Sequence, residues 1–232
     1  MKLGLLGDVH GNNLALHAVL AAASAAGVET LLVTGDLVGY YHSPMQVLDL
    51  LRPWNRYMVR GNHEDMLVAA RSDPAFLDQV DAQYGTGLRI AIEQIDTQQL
   101  DELCGLPHPL ELVVDGCKIL LCHGTPWDSD LYVYPDAKKE LLERCAMQEF
   151  DLVVLGHTHY PMCHQIGRTI LANPGSVGQP RNRKLGAHWA LFDTESREVA
   201  LRCETYDAGL VIAESRLRHP EIPYLAEVLE RR

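Results

Sequence analysis

The chain has 232 residues, 47% of them apolar, enough to build one sizeable α/β domain, and no charged or Ser/Gly-rich tract suggests a linker. No apolar run approaches the roughly 18 residues of a membrane-spanning helix. A formal net charge of −11 sets the surface against extended nucleic acid and leaves small phosphorylated molecules as the better class of partner.

The N-terminal MKLGLLGDVHG opens like an export signal, but its apolar run is too short and leads directly into Asp8, so the expected location is cytoplasmic. Leu3 to Leu6 reads as a buried strand ending at Gly7. Asn12 or Asn13 caps an Ala-rich helix to about Ala26, with Gly27 as its stop. Thr30 to Val33 is a second strand, ending at Gly35. Ser43-Pro44 opens a helix through about Leu51, with Ser as cap and Pro at the first helical position. Tyr57 to Val59 is a third strand, ending at Gly61. Strands alternating with helices predict a largely parallel sheet, whose C-terminal edge carries the loops that build sites in such proteins.

Residues from about 64 to 103 read as a helical insertion, broken at Asp73-Pro74 and at Gly85-Thr86-Gly87. The pattern then changes to hairpins. Glu111 to Val114 and Lys118 to Cys122 flank Asp115-Gly116, Met162 to Ile166 and Thr169 to Leu171 flank Gly167-Arg168, and Ala187 to Asp193 precedes Glu198 to Thr205. Leu152 to Leu155 is a short buried strand, and a helical tail from about 208 to 232 is broken near Pro220 and Pro223. These elements predict a single domain over 1–232, a four-layer α-β-β-α sandwich of two mixed sheets, with the second half supplying a more antiparallel sheet packed on the first. No heptad pattern specifies an oligomer.

Five segments carry the chemistry: GDVHGN at 7–12, GDLVGY at 35–40, RGNHED at 60–65, LLCHGTP at 120–126 and LGHTHYP at 155–161. Each sets Asp, Asn or His beside Gly at the end of a short apolar run. Together they offer Asp8, Asp36, the Asn62 amide oxygen, and the imidazoles of His10, His63, His123, His157 and His159. One at a time, these residues have bland readings as an Asx-turn, a helix cap or a histidine at a strand end. Five such corners in one domain do not, and the donor set suits a pair of divalent cations acting on phosphate esters. Six cysteines without a C-x-x-C pair are expected to be reduced and buried. Thiolate ligation by Cys122 or Cys163 stays open.

The five segments, in order, resemble the signature of the calcineurin-like metallophosphoesterases, D-x-H, G-D, G-N-H-[DE], H and G-H-x-H, across residues 7–161. GDLVGYYHSPMQVLDLL and NPGSVGQPR are similar to segments of the small bacterial and archaeal phosphodiesterases of that superfamily. The resemblance implies that Asp8, His10 and His159 bind one metal, that Asn62, His123 and His157 bind a second, and that Asp36 bridges both. It further implies a nucleophilic hydroxide held between the cations, with His63 facing the leaving group as catalytic acid or hydrogen-bond donor. The expected cofactors are two divalent ions, with Mn²⁺ favoured and Fe²⁺, Ni²⁺, Co²⁺ or Zn²⁺ as alternatives.

One departure bears on substrate. Protein Ser/Thr phosphatases of the superfamily carry G-D-x-V-D-R-G at the second motif, where this chain has Gly39 and Tyr40. The expected activity is therefore hydrolysis of small phosphodiesters or phosphomonoesters. A hydrolase specific for dinucleoside polyphosphates or cyclic nucleotides is the alternative, a protein phosphatase is disfavoured, and a non-catalytic scaffold such as the retromer subunit similar to this family is a third class. Asn12, Arg60 and Arg181, each next to a motif, are the candidates for gripping phosphate. NPGSVGQPR offers turn amides for an anion or simply joins two strands. In GTPWDSDLYVYP, Trp127, Tyr132 and Tyr134 either stack on a base or pack over the helices of 64–103.

Overall fold

The computed structural model describes residues 1–231. The first three strands, β1 (Lys2–Leu6), β2 (Thr30–Val33) and β3 (Arg56–Met58), lie parallel in one sheet. Between them run α1 (Asn13–Ala25) and α2 (Pro44–Leu51). Asn12 caps α1 by accepting a hydrogen bond from the Ala15 amide, whereas the Ser43 side chain makes no such bond and α2 starts on its proline alone. Four helices follow: α3 (Asn62–Ala70), α4 (Pro74–Tyr84), α5 (Gly87–Gln94) and α6 (Thr97–Cys104). The expected breaks at Pro74 and Gly85 are present. A third falls at Ile95-Asp96, where the Asp96 carboxylate caps α6 through the Gln99 amide.

The second sheet contains β4 (Leu110–Val114), β5 (Cys117–Leu121), β6 (Leu152–Val154), β7 (Met162–Ile166) and β8 (Thr169–Asn173), in the order β4-β5-β6-β8-β7. Its two hairpins are antiparallel, but β5, β6 and β8 run parallel. The final hairpin, β9 (Ala187–Asp193) and β10 (Glu198–Glu204), corrects the assignment of all later strands to that sheet. It joins the first sheet beside β1, giving the order β10-β9-β1-β2-β3. The physical reason is burial on both faces of β9: Trp189 and Leu191 face the helices, and Ala190 and Phe192 face the other sheet, so the strand fits a sheet covered on both sides.

Strand alternation sorts the core into three interfaces. Leu6, Leu31 and Val33 pack under α1 and the α3–α6 helices. Leu3, Leu5 and Leu32 meet Ile119, Leu121, Leu152 and Val154 between the sheets. Leu120, Cys122, Val153 and Leu171 pack outward against α7 (Lys139–Cys145), which the sequence pattern did not disclose. The tail forms α8 (Gly209–Arg218) and α9 (Tyr224–Glu227). These layers make a four-layer α-β-β-α sandwich. Among the described residues no helix is long and apolar enough to cross a membrane. All six thiols are free. Cys117, Cys122 and Cys145 are buried, but Cys163 is exposed. Cys122 lies in the cluster beneath α7, on a strand face turned away from His123.

Candidate metal centre

The parallel register aligns the C-terminal ends of β1, β2 and β3, with Leu6 opposite Val33 and Val33 opposite Met58. The corners that follow therefore open at one edge. His123 after β5 and the His157–His159 loop after β6 arrive at the same place from the second sheet. The chain must turn abruptly there, and Asp8, His10, Asp36, His157 and His159 all take positive φ, between 52° and 66°. Such strain costs about 1–3 kcal/mol per residue and persists only where the surroundings enforce it. Gly7 and Gly156 allow the enforcement: both backbones press on the Thr34 side chain, which a Cβ at either position would overlap.

The segment 174–181 clamps the first corner. Val177 N donates to Gly7 O at 2.9 Å, Gly178 N to Asp8 O at 3.0 Å, and Ser176 Oγ to Asp8 O at 2.7 Å. Its Gln179 carbonyl accepts from His159 Nδ1 at 2.6 Å. The amides at Val177 and Gly178 are spent on the carbonyls of the corner after β1, so this segment shapes the site from behind.

Four imidazoles are oriented in the same manner. The Nδ1 atoms of His10, His123 and His159 face the carbonyls of Val38, Thr34 and Gln179, at 3.2, 2.7 and 2.6 Å. His157 Nε2 faces the Asp130 carbonyl at 3.1 Å. A carbonyl only accepts, so each of these nitrogens carries the proton and the opposite nitrogen keeps its lone pair. Those lone pairs converge. His10 Nε2 and His159 Nε2 are 3.1 Å apart, and His123 Nε2 and His157 Nδ1 are 3.2 Å apart. Neither pair has a proton to share, so a cation is the chemistry both await. His123 Nε2 also lies 3.0 Å from Asn62 Oδ1.

Asp36 sits between the pairs. Its Oδ2 is 3.6 Å from His10 Nε2 and 3.5 Å from His123 Nε2, while Oδ1 accepts from the His63 amide at 2.9 Å. Asp8 Oδ1 is 3.4 Å from His159 Nε2, and its Oδ2 is buried without a hydrogen-bond partner among the described residues. Burial pushes the Asp8 carboxyl up to about 8, against the pull of Arg181. It raises Asp36 well above the carboxylate range, with Glu64 and Asp8 adding to the effect. Burial likewise lowers His10, His123 and His159 well below the usual imidazole value, which keeps them neutral and able to ligate. A divalent cation is the group that would hold the two carboxylates ionised in such surroundings.

One structural residue escaped the sequence reading. Glu64 is fully buried, and its carboxylate accepts from Asp36 N and Leu37 N at 2.8 Å, Gly61 N at 2.9 Å and Val38 N at 3.4 Å. It ties the second and third corners together. The available signal was its place three residues beyond Gly61, the capping-box position of α3.

His63 is buried, with its ring centroid 4.6 Å from that of His10 and 4.7 Å from that of Tyr40. One ring nitrogen also falls within ligand range of His10 and Asp36. Its Nδ1 has no hydrogen-bond partner among the described residues, and burial, Arg181 and His157 lower the ring to about 3. The ring rests on Gly39, where a Cβ would overlap Nδ1. The residue that replaces the protein-phosphatase aspartate is thus a glycine the ring needs.

The three phosphate-grip candidates separate. Asn12 commits its amide to the α1 cap, Gly178 O and Tyr206 Oη. Arg60 pairs with Asp65 at 2.6 Å and donates to Cys104 O. Arg181 instead donates to two neutral partners, Tyr40 Oη at 3.1 Å and Gln179 Oε1 at 3.0 Å, and forms no ion pair among the described residues. Tyr40 in turn lies edge-on to His10, centroid to centroid 4.5 Å. The loop touches α3 through Ser129 and Asp65, but its aromatic side chains are placed elsewhere: the Tyr132 ring lies 3.9 Å from that of His157, Tyr134 meets Tyr160, and Arg144 covers Trp127.

Comparison with known proteins agrees with this geometry. The calcineurin-like phosphoesterase superfamily domain matches residues 1–197. The chain is 27% identical over 222 residues to an uncharacterised protein of Methanocaldococcus jannaschii, covering 88% of each. It is 23% identical to the phosphodiesterase YfcE of Escherichia coli, covering 91% of this chain and 98% of that one. In structure it resembles a hypothetical protein of Pyrococcus horikoshii (TM-score 0.83, 22% identity, 98% and 97% of the two chains). It also resembles a metallophosphoesterase of Sphaerobacter thermophilus (TM-score 0.76, 24% identity, 100% and 98%). A domain match over most of the chain, on strand-end corners whose imidazole lone pairs converge, makes this protein a member of the calcineurin-like phosphoesterase superfamily and a metal-dependent phosphoesterase.

Proposed function

We propose that the enzyme is a dinuclear phosphohydrolase of small phosphodiesters or phosphomonoesters. Asp8, His10 and His159 would hold one divalent ion, Asn62, His123 and His157 the other, with Asp36 shared. The observation that carries this reading is the placement of Asp36 Oδ2 between two imidazole pairs, each with its lone pairs turned inward. When bound, two such ions activate water near neutral pH and offset charge on the phosphoryl group. Mn²⁺ is the metal we favour.

The chain's own residues do the rest. The carbonyls behind His10, His123, His157 and His159 fix each ring's tautomer and angle. The Glu64 carboxylate holds the Asp36 corner rigid. Arg181, which forms no ion pair among the described residues, binds non-bridging phosphoryl oxygens. His63 has Nδ1 closed against Gly39, which leaves Nε2 to donate toward the departing oxygen. Gly39 and Tyr40 in place of an Asp and an Arg argue against phosphoprotein substrates.

The test is turnover of aryl phosphodiesters and phosphomonoesters with Mn²⁺, Ni²⁺, Co²⁺ or Zn²⁺, combined with metal analysis. Asp36→Asn is expected to lower kcat/KM by roughly 10²-fold or more and to reduce metal content below two ions per chain. Wild-type activity in that variant would refute the shared ligand. No turnover with any metal would favour a scaffold.

A further inference from the structure

Resting on the phosphohydrolase reading above, we propose that Tyr132 and Tyr134 form a stacking platform for the base of a nucleoside phosphoester, with its phosphate between the metal centre and Arg181. The platform is built into the loop between β5 and α7. Thr125 N donates to Asp128 O at 2.7 Å, Ser129 Oγ to Asp65 at 3.2 Å, and the Asp130 carbonyl accepts from His157 Nε2. The loop is therefore pinned to the site by one of its own candidate ligands. Beyond it Val133 is buried in the apolar cluster beneath the second sheet. Tyr132 and Tyr134, on either side of that anchor, stay at the surface.

There the two rings are nearly parallel, 12° apart in plane with centroids 5.7 Å apart, and each is 41% exposed. The strip begins at His157, against which Tyr132 packs, and ends at Tyr160, which meets Tyr134 edge-on at 5.6 Å. Exposed parallel phenols one ring from a metal centre, with Arg181 beside Tyr132 and in no ion pair among the described residues, match a ligand with a flat π-face and an anion. A nucleotide has both. The net charge of −11 disfavours a polymer, so the ligand is a mononucleotide or a short diester. Stacking tolerates any base, so the platform selects the class and not the base.

The experiment compares kcat/KM for AMP against glycerol phosphate, and for the methyl esters of the two, in metal-loaded wild type, Tyr134→Leu and Tyr134→Phe. The platform predicts that wild type prefers the nucleoside member of each pair by roughly 5-fold or more. It predicts that Tyr134→Leu loses that preference and Tyr134→Phe keeps it. Turnover with a ratio near one in wild type, or a ratio untouched by Tyr134→Leu, overturns the platform alone. No turnover of any of the four compounds overturns the hydrolase reading and the platform with it. Quenching of tyrosine fluorescence by AMP, lost in Tyr134→Leu, is the expected equilibrium readout.

Discussion

At the scale of single residues, the site is a set of side chains held in conformations they would not choose alone. Positive φ at five candidate ligands is tolerated because Gly7, Gly156 and the 174–181 clamp leave the chain no other route. His63 shows how tightly the space is allotted. His63→Ala should lower kcat by about 10²–10⁴-fold, the usual worth of a positioned acid or donor, with metal content unchanged. Loss of bound metal instead would move His63 into the ligand set. Gly39→Asp, which imitates the protein-phosphatase motif, should lower kcat rather than raise it, because its Cβ overlaps the His63 ring. A variant as active as wild type would show that the ring can shift. Asn12→Ala, by contrast, should cost about 1 kcal/mol of stability through the lost α1 cap and much less activity than Asp36→Asn.

At the scale of elements, the segment from Gly39 to Ser43 links the centre to the helices around it. Its His42 is buried, stacked on His219 with centroids 5.3 Å apart, and faces Glu214 at 3.8 Å and Arg218, both on α8. His219 in turn accepts a hydrogen bond from the Thr86 amide just before α5. Burial lowers His42 from 6.5 to about 4, with the Glu214 carboxylate opposing the shift and His219 and Arg218 adding to it. Between those values the folded chain leaves His42 neutral while the unfolded chain binds a proton. Stability is therefore full above about pH 6.5 and falls as the pH drops toward about 4, by at most about 1.4 kcal/mol per pH unit for one proton. Both ring nitrogens lack hydrogen-bond partners among the described residues, so His42→Leu orphans nothing. Thermal melts across this window should show a shallower decline for His42→Leu than for wild type. Identical slopes would remove His42 as the cause.

At the scale of the whole molecule, the candidate ligands come from both sheets: Asp8, Asp36 and Asn62 follow β1, β2 and β3, and His123, His157 and His159 follow β5 and β6. Metal binding should therefore join the two halves of the sandwich. A ligand present at 100 times its Kd adds about 2.7 kcal/mol, and in a chain of this size each kcal/mol raises Tm by about 2–4 °C. Saturating Mn²⁺ should raise Tm by roughly 5–10 °C, a chelator should reverse the rise, and Asp36→Asn should lose most of it. A Tm indifferent to metal would contradict the centre. The same scale separates what was legible in the chain from what was not. Gly35-Asp36, the Asn62-His63 pair and Gly156-His157 announced their corners because a strand end, a glycine and a polar side chain are neighbours in sequence. Glu64 announced only its capping of α3 through Gly61 and not its hold on the second corner, because the Asp36, Leu37 and Val38 amides it binds lie 26 to 28 residues away.

The sequence by itself determined the strand runs, the helix breaks at Pro74 and Gly85, the corner residues and the four-layer class, because strand alternation, caps and turns act over a few residues. Tertiary structure alone decided that β9 and β10 complete the first sheet, since burial of both faces of β9 depends on partners more than 150 residues away. It decided which of the phosphate-grip candidates is left available. Asn12, Arg60 and Arg181 look alike beside their motifs, but only in the folded chain do Gly178, Tyr206, Asp65 and Cys104 claim the first two. Among the described residues Arg181 hydrogen-bonds only the neutral Tyr40 and Gln179 side chains. Availability for a ligand is set by what else lies within hydrogen-bond reach, and that is a property of the fold.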